Sequence, residues 1–196
     1  MKFKINQKVF DKIPGLTVYV PIITGFTNQV ESKISHEISS YVKKQEKLLR
    51  ENFASVKDLT DDIRVKVYLD AFKNTGADTK KRLPTHLALA KRVVEGDSLP
   101  DISPVVNLYN AVSIKYLTPF GGEDLSTLYG DFELTLAEGT EHWLGINSAK
   151  PKSPHKGDLI WKDEYDVSTL TLNWRQCERT KITQNSTDGF FIMGWI

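Results

Sequence analysis

Cysteine is nearly missing from this chain. Cys177 stands alone among 196 residues, which excludes an internal disulfide and a cysteine-based metal site. A single thiol fits a reducing compartment. Long apolar runs are missing too. No segment approaches the roughly eighteen apolar residues of a membrane span, and Met1-Lys2-Phe3-Lys4 lacks the apolar stretch of a signal peptide. The expected setting is therefore the cytoplasm, with no membrane partner. An excess of charge is also absent. The formal net charge of +1 gives no global field toward nucleic acid, although a local basic face stays open. The four histidines, His36, His86, His142 and His155, have no His-x-x-x-His spacing, so no metal site is expected. Gly-x-Ser-x-Gly, a dinucleotide fingerprint and a phosphate-binding Gly-Lys-Ser/Thr loop are all missing. There is no internal repeat and no low-complexity tract.

What is present suits one domain with a sizeable core, since 40% of the residues are hydrophobic and 26% charged. Residues 1–15 are mixed and end in the turn Pro14-Gly15. Leu16 to Ile23 reads as a strand, with Pro21 marking an edge or an end. Asn28, with Glu31 as its capping-box partner, predicts a helix to about residue 53. The cationic face of that helix is a solvated surface or a basic rim for RNA. Its length could serve a dimer or cover the sheet; the oligomeric state is not legible. Thr60 predicts a second helix start, and Thr85 a third. Ser103-Pro104 predicts a fourth, from Pro104 to about Lys115. That helix is apolar on more than one side. Its amides, Asn107 and Asn110, are then either tied to backbone or lining a polar pocket.

After Pro119 strands dominate. Phe120 to Asp124 reads as a glycine turn. Phe132–Leu136, His142–Ile146, Asp158–Lys162, Val167–Trp174 and Phe190–Trp195 alternate as strands do. Helices first and strands after predict an α+β fold. The sequence stops on the apolar run Phe190 to Ile196. That is unusual for a terminus, so a short natural C-terminal extension of the single domain 1–196 is expected. A genomic stop codon directly after Ile196 would refute it.

The chemistry-bearing stretch is Asn173 to Thr183. It gathers Arg175, Glu178, Arg179, Thr180 and Thr183 behind a strand. Guanidinium groups bind phosphate or carboxylate bidentately and hydroxyls orient them. The alternative is a surface ion pair of Glu178 with Arg175 or Arg179. Lys80, Lys81 and Arg82 form a second cationic group in a loop, able to track a phosphate backbone or simply solvated. Cys177 has no His or Asp partner placed by sequence, but flanking arginines would lower its pKa if they faced it.

The order Arg82-Leu83-Pro84-Thr85, Leu99-Pro100, Val105-Val106-Asn107, Asn110, Pro119, Gly121-Gly122 and Asp124-Leu125, followed by Trp174 to Thr180 and Ile182-Thr183, resembles a free-standing member of the B3/B4 domain family. That domain is the tRNA-binding and editing module of the phenylalanyl-tRNA synthetase β subunit. The resemblance covers roughly residues 10–196. It implies a mixed β-sandwich or barrel-like core with helices packed on it. It also implies hydrolysis of a mischarged aminoacyl ester on tRNA, without metal or cofactor. The chain departs from the synthetase pattern at two pocket positions, where Gly121 replaces a histidine and Met193 a glutamate.

Read from the residues, a pocket is expected where the Asn107 helix, the Gly121-Gly122 turn and the Arg175–Thr183 run meet. Asn107 and Asn110 would hydrogen-bond an amino acid or ribose. Arg175 would hold the terminal phosphate or the oxyanion. Glu178 would orient water or bind an α-ammonium group. Asn173, Thr180 and Thr183 would line the site, and Gly121 and Gly122 would permit close backbone approach. Lys80, Lys81, Arg82 and Arg179 are the candidate RNA contacts. Three functions fit: a deacylase acting in trans on mischarged tRNA, a non-catalytic tRNA- or RNA-binding module, or a binder or hydrolase of a small amino-acid derivative.

Overall fold

A computed structural model describes all residues 1–196. The chain opens with β1 (Phe3–Ile5), a short helix α1 (Gln7–Lys12), β2 (Thr17–Tyr19) and β3 (Ile22–Ile23). The helices α2 (Ser32–Asn52), α3 (Val56–Asp61), α4 (Ile63–Asn74), α5 (Thr85–Val94) and α6 (Pro104–Tyr116) follow. The remainder forms β4 (Phe120–Asp124), β5 (Phe132–Leu136), β6 (Leu159–Lys162), β7 (Val167–Leu170), β8 (Arg175–Gln176) and β9 (Gly189–Trp195). The fold is α+β, with helices packed on one mixed and one antiparallel sheet.

One sheet has the order β1-β5-β6-β7-β8, with β1 parallel to β5 and every other pair antiparallel. In the other, β9 is the central strand. It pairs with β2 and β3 along one edge and β4 along the other. Both faces of β9 are covered, Phe190 packing into a core with Phe132 and Trp161 and Phe191 packing against Phe26, Tyr109 and Phe120, which accounts for the apolar run Phe190-Phe191-Ile192. Alternation along β6 sends Leu159 and Trp161 into one core with Phe132, Leu134 and Phe190, and Ile160 into a second with Trp143, Val167 and Cys177. A third core lies among the helices, around Leu59, Val65, Leu87, Val93 and Ile114.

Several local expectations are corrected. Residues 120–124, read as a turn, are strand β4, fixed by the register Gly121↔Ile192 and Gly122↔Phe191. His142–Ile146 forms only isolated bridges, Trp143↔Lys152 and Gly145↔Cys177. Asn28 does not cap α2. Its amide instead bridges Thr183 O (2.7 Å) and the Val105 N–H (3.1 Å). Thr60 lies inside α3, and Asp62 caps α4 by accepting from the Arg64 N–H. The long helix α2 covers α5 and α6 rather than a sheet.

His86 on α5 is fully buried, edge-on to Tyr68 at 4.6 Å, and neither ring nitrogen has a hydrogen-bond partner. Burial pushes its pKa down to about 3. The folded protein therefore holds a neutral imidazole where the unfolded chain takes up a proton. The His86 contribution is fully present above about pH 6.5, the unfolded value. It is lost as pH falls from there toward about 3, at about 1.4 kcal/mol per pH unit. His86→Phe should flatten the difference in stability between pH 7 and pH 5, measured by urea denaturation. An unchanged pH dependence would show that another group carries it.

Candidate active-site cleft

The two sheets do not close on each other completely. A cleft of about 280 Å³ remains between them, with α5, α6 and the segment around Pro100 forming its third side. The second sheet contributes Gly121, Glu123 and Ile192. The first contributes Trp161, Thr169 and the turn from Leu172 to Gln176. Helix α6 contributes Val106, Tyr109 and Asn110. Ser103 caps α6 by accepting from the Val106 N–H with Pro104 in its first turn, so the local sequence itself fixes where Tyr109 and Asn110 stand.

The turn after β7 is strained. Thr171 and Leu172 are both left-handed, with φ of 51° and 59°, a conformation costing on the order of 1–2 kcal/mol per non-glycine residue. Contacts from elsewhere hold it. Arg82 donates to Thr171 Oγ1 (3.1 Å) and Asp158 Oδ2 (2.9 Å). The Thr85 N–H donates to Asn173 Oδ1 (3.3 Å), and the Thr85 hydroxyl donates to Asn173 O. This clamp sets Trp174 on the cleft wall between two guanidinium groups, Arg82 at 5.4 Å and Arg175 at 5.9 Å from the ring centre. Arg82 is spent on that clamp. Arg175 is exposed at the rim and takes part in no ion pair.

Two polar groups on α6 lack protein partners. Asn110 is 6% exposed, yet its amide is in no hydrogen bond and lines the cleft. Tyr109 lines it too, its pKa raised by burial and by the nearby Glu123 charge. Glu123 is the carboxylate of the cleft. It is 3% exposed. Its Oε1 accepts from Ser168 (2.6 Å) and Thr169 (3.1 Å), and Oε2 from Gln176 Nε2 (2.6 Å). Burial pushes its pKa up, and these neutral donors oppose the shift without a cation to help them.

The structure brings together Asn110, Gly121, Gly122, Asn173 and Arg175 around the cleft. Gly121 and Gly122 differ in what they permit. A Cβ at Gly121 would meet nothing within 4 Å, whereas one at Gly122 would stand 2.7 Å from the Phe191 ring.

The other expected residues lie elsewhere. Asn107 accepts from the Ile102 N–H (2.9 Å) and donates to Asp101 (2.6 Å), which fixes the Ile102 wall without reaching the cleft. Glu178 lies outside it, ion-paired with Lys181 and accepting from the Asn147 N–H (3.2 Å). Lys181 holds its carboxyl below the usual range. Thr180 is buried behind the cleft against Ser168 and Cys177, both at 3.2 Å. Thr183 braces a turn with Ser186. Arg179 forks onto Asp163 at 2.9 and 2.8 Å, away from the cleft. Lys80 and Lys81 are exposed on the loop leading to Arg82. Burial pushes the Cys177 thiol pKa up, opposite to an activated nucleophile.

Glu123, Tyr109, Thr169 and Gln176 were not singled out by sequence. Alternation is the signal that could have found Glu123, because Gly121 and Glu123 fall on one face once residues 120–124 are read as a strand.

The class of protein that the fold and cleft define is an α+β domain with a cleft between one mixed and one antiparallel sheet, roofed by helices. A B3/4 domain profile matches residues 67–196. The chain belongs to the B3/4 domain family. Among solved structures, an N-terminal fragment of the phenylalanyl-tRNA synthetase β subunit from Pyrococcus horikoshii is similar over 98% of this chain and 42% of that one, with a TM-score of 0.47 and 11% identity. The chain thus spans less than half of that fragment. No curated protein matches it. No helix is long and apolar enough to cross a membrane.

Proposed function

We propose that the cleft receives the aminoacyl end of a mischarged tRNA and hydrolyses its ester in trans. Water adds to the ester carbonyl carbon, the bond to the ribose oxygen breaks, and the amino acid leaves with the tRNA hydroxyl restored. The observation that carries this reading is the Asn110 amide. It is buried in the cleft wall without a protein partner. The amide opens to the cleft rather than to another protein group, and a bound ester or its attacking water would satisfy it. The cleft volume of about 280 Å³ suits an amino-acid-sized group. Arg175, unpaired at the rim, suits the terminal phosphate, and the exposed Lys80 and Lys81 suit the backbone beyond it. Glu178, paired with Lys181 outside the cleft, takes no part in this chemistry.

Purified protein should release the amino acid selectively from one member of a panel of mischarged tRNAs. Asn110→Ala should lower the rate by about tenfold or more, as expected for losing one positioned hydrogen bond. Arg175→Ala should raise KM and flatten the salt dependence of binding by about 0.7 in log–log slope, the share of one single-strand phosphate contact. Release from no member, with salt-dependent tRNA binding retained, would make the domain a non-catalytic tRNA-binding module.

A further inference from the structure

Four carboxylates are buried in this molecule: Glu46, Glu123, Asp124 and Asp163. Three have a structural employment that requires an acceptor. Asp163 meets the Arg179 fork. Asp124 accepts from the Ser126 N–H at the start of a 3-10 turn. Glu46 accepts from the Leu99 N–H at 2.6 Å. Glu123 differs from all of them. Its hydrogen-bonding side-chain partners are the neutral groups of Ser168, Thr169 and Gln176; no backbone N–H and no cation reaches its carboxylate. These donors satisfy the carboxylate oxygens as acceptors, but none of them brings a positive charge against the buried negative one. The fold thus satisfies the hydrogen bonds of Glu123 and leaves its charge without a counter-ion.

The surroundings favour positive charge. Tyr109, Phe120, Trp161 and Trp174 line the same cleft as Glu123, and aromatic faces attract cations. Trp174 already carries two guanidinium groups at its ring. We propose that Glu123 and these aromatic walls form a subsite for a protonated amine of the ligand, which supplies the counter-ion that the fold omits. The assignment rests on the cleft being the aminoacyl site. The amine is then either the α-ammonium of the esterified amino acid or the ammonium of a basic side chain.

Two probe pairs separate these sources. L-phenylalaninamide and its N-acetyl derivative differ in the α-ammonium. Nα-acetyl-L-lysinamide and Nα-acetyl-L-norleucinamide differ in the side-chain ammonium. Calorimetric titration, with the fluorescence of Trp161 and Trp174 as a second signal, should show the charged member of one pair binding at least about tenfold tighter. That is the ratio one charge-assisted hydrogen bond supplies. Glu123→Gln should bring the ratio to about one while the two uncharged members bind as tightly as before, a split that a merely structural carboxylate would not produce. Equal binding within both pairs, no binding of any probe, or a ratio that survives Glu123→Gln would overturn the proposal. If Glu123→Gln does not fold, Gly121→Leu decides: cation binding that persists with the cleft filled lies elsewhere and overturns it. No tRNA enters these titrations. Loss of cation selectivity with deacylation intact removes only the subsite, and intact selectivity without deacylation removes only the hydrolase reading.

Discussion

Gly121→Leu is expected to abolish ester hydrolysis and leave the fold standing. Gly121 sits on β4 opposite Ile192, on the cleft wall, and an added Cβ meets nothing within 4 Å. A leucine there projects into the space the substrate must occupy and displaces the ester from the groups that act on it. A displacement of roughly an ångström costs about a hundredfold in rate, so turnover should fall at least that far. The thermal midpoint should hold or rise, because replacing a glycine inside a strand restricts the unfolded chain. Gly122→Ala is the contrasting variant. Its Cβ would stand 2.7 Å from the Phe191 ring, an overpacking that costs about 1–3 kcal/mol. Full activity of Gly121→Leu would remove the cleft as the site of chemistry.

Arg179→Met should be among the most destabilising single changes outside the hydrophobic cores. Arg179 forks onto both oxygens of Asp163, whose side chain is fully buried, and donates to Thr127 O at 2.5 Å. Its guanidinium also lies over Tyr129 and Tyr165, at 5.6 and 5.1 Å from the ring centres. Burial alone would raise the Asp163 pKa, but the Arg179 fork and the N–H groups of Asp166 and Tyr129 hold it below the usual carboxylate range. Removing the guanidinium strands a buried charge, at a cost of about 3–5 kcal/mol. The guanidinium chloride midpoint should fall accordingly at neutral pH. A change under about 1 kcal/mol, the range of exposed pairs, would show the pair to be an ordinary surface contact.

The helices were legible where their signals are local. Ser103 and Pro104 announce α6, and the structure starts it there. Signals failed where a residue's partner is remote in sequence. Asn28 looks like a cap, but its amide reaches Thr183 and Val105. The Gly-Gly pair at 121–122 looks like a turn because glycine is a poor strand former. Pairing with β9, some seventy residues later, overrides that preference. The same error hid Glu123. The Arg175–Thr183 run looked like one cluster because its residues are close in sequence. Arg175 opens to the cleft rim, Thr180 lies buried behind it, and Glu178 meets Lys181 outside. Residues 1–15 gave no pattern because β1 is three residues long and owes its form to β5.

The edges that the first two dozen residues cover bear on how the domain can be cut. The family profile begins at residue 67, yet β1 pairs with β5, while β2 and β3 together cover an edge of β9. Val9 of α1 and Ile13 just after it belong to the same core as Phe132 and Phe190. A fragment starting at residue 67 would bare the hydrogen-bonding edges of two sheets and one face of that core together. Such edges are templates for pairing with other chains. The fragment that sequence similarity marks out is therefore expected to aggregate, and limited proteolysis of the intact chain should leave its N-terminal strands attached to the product that stays in solution.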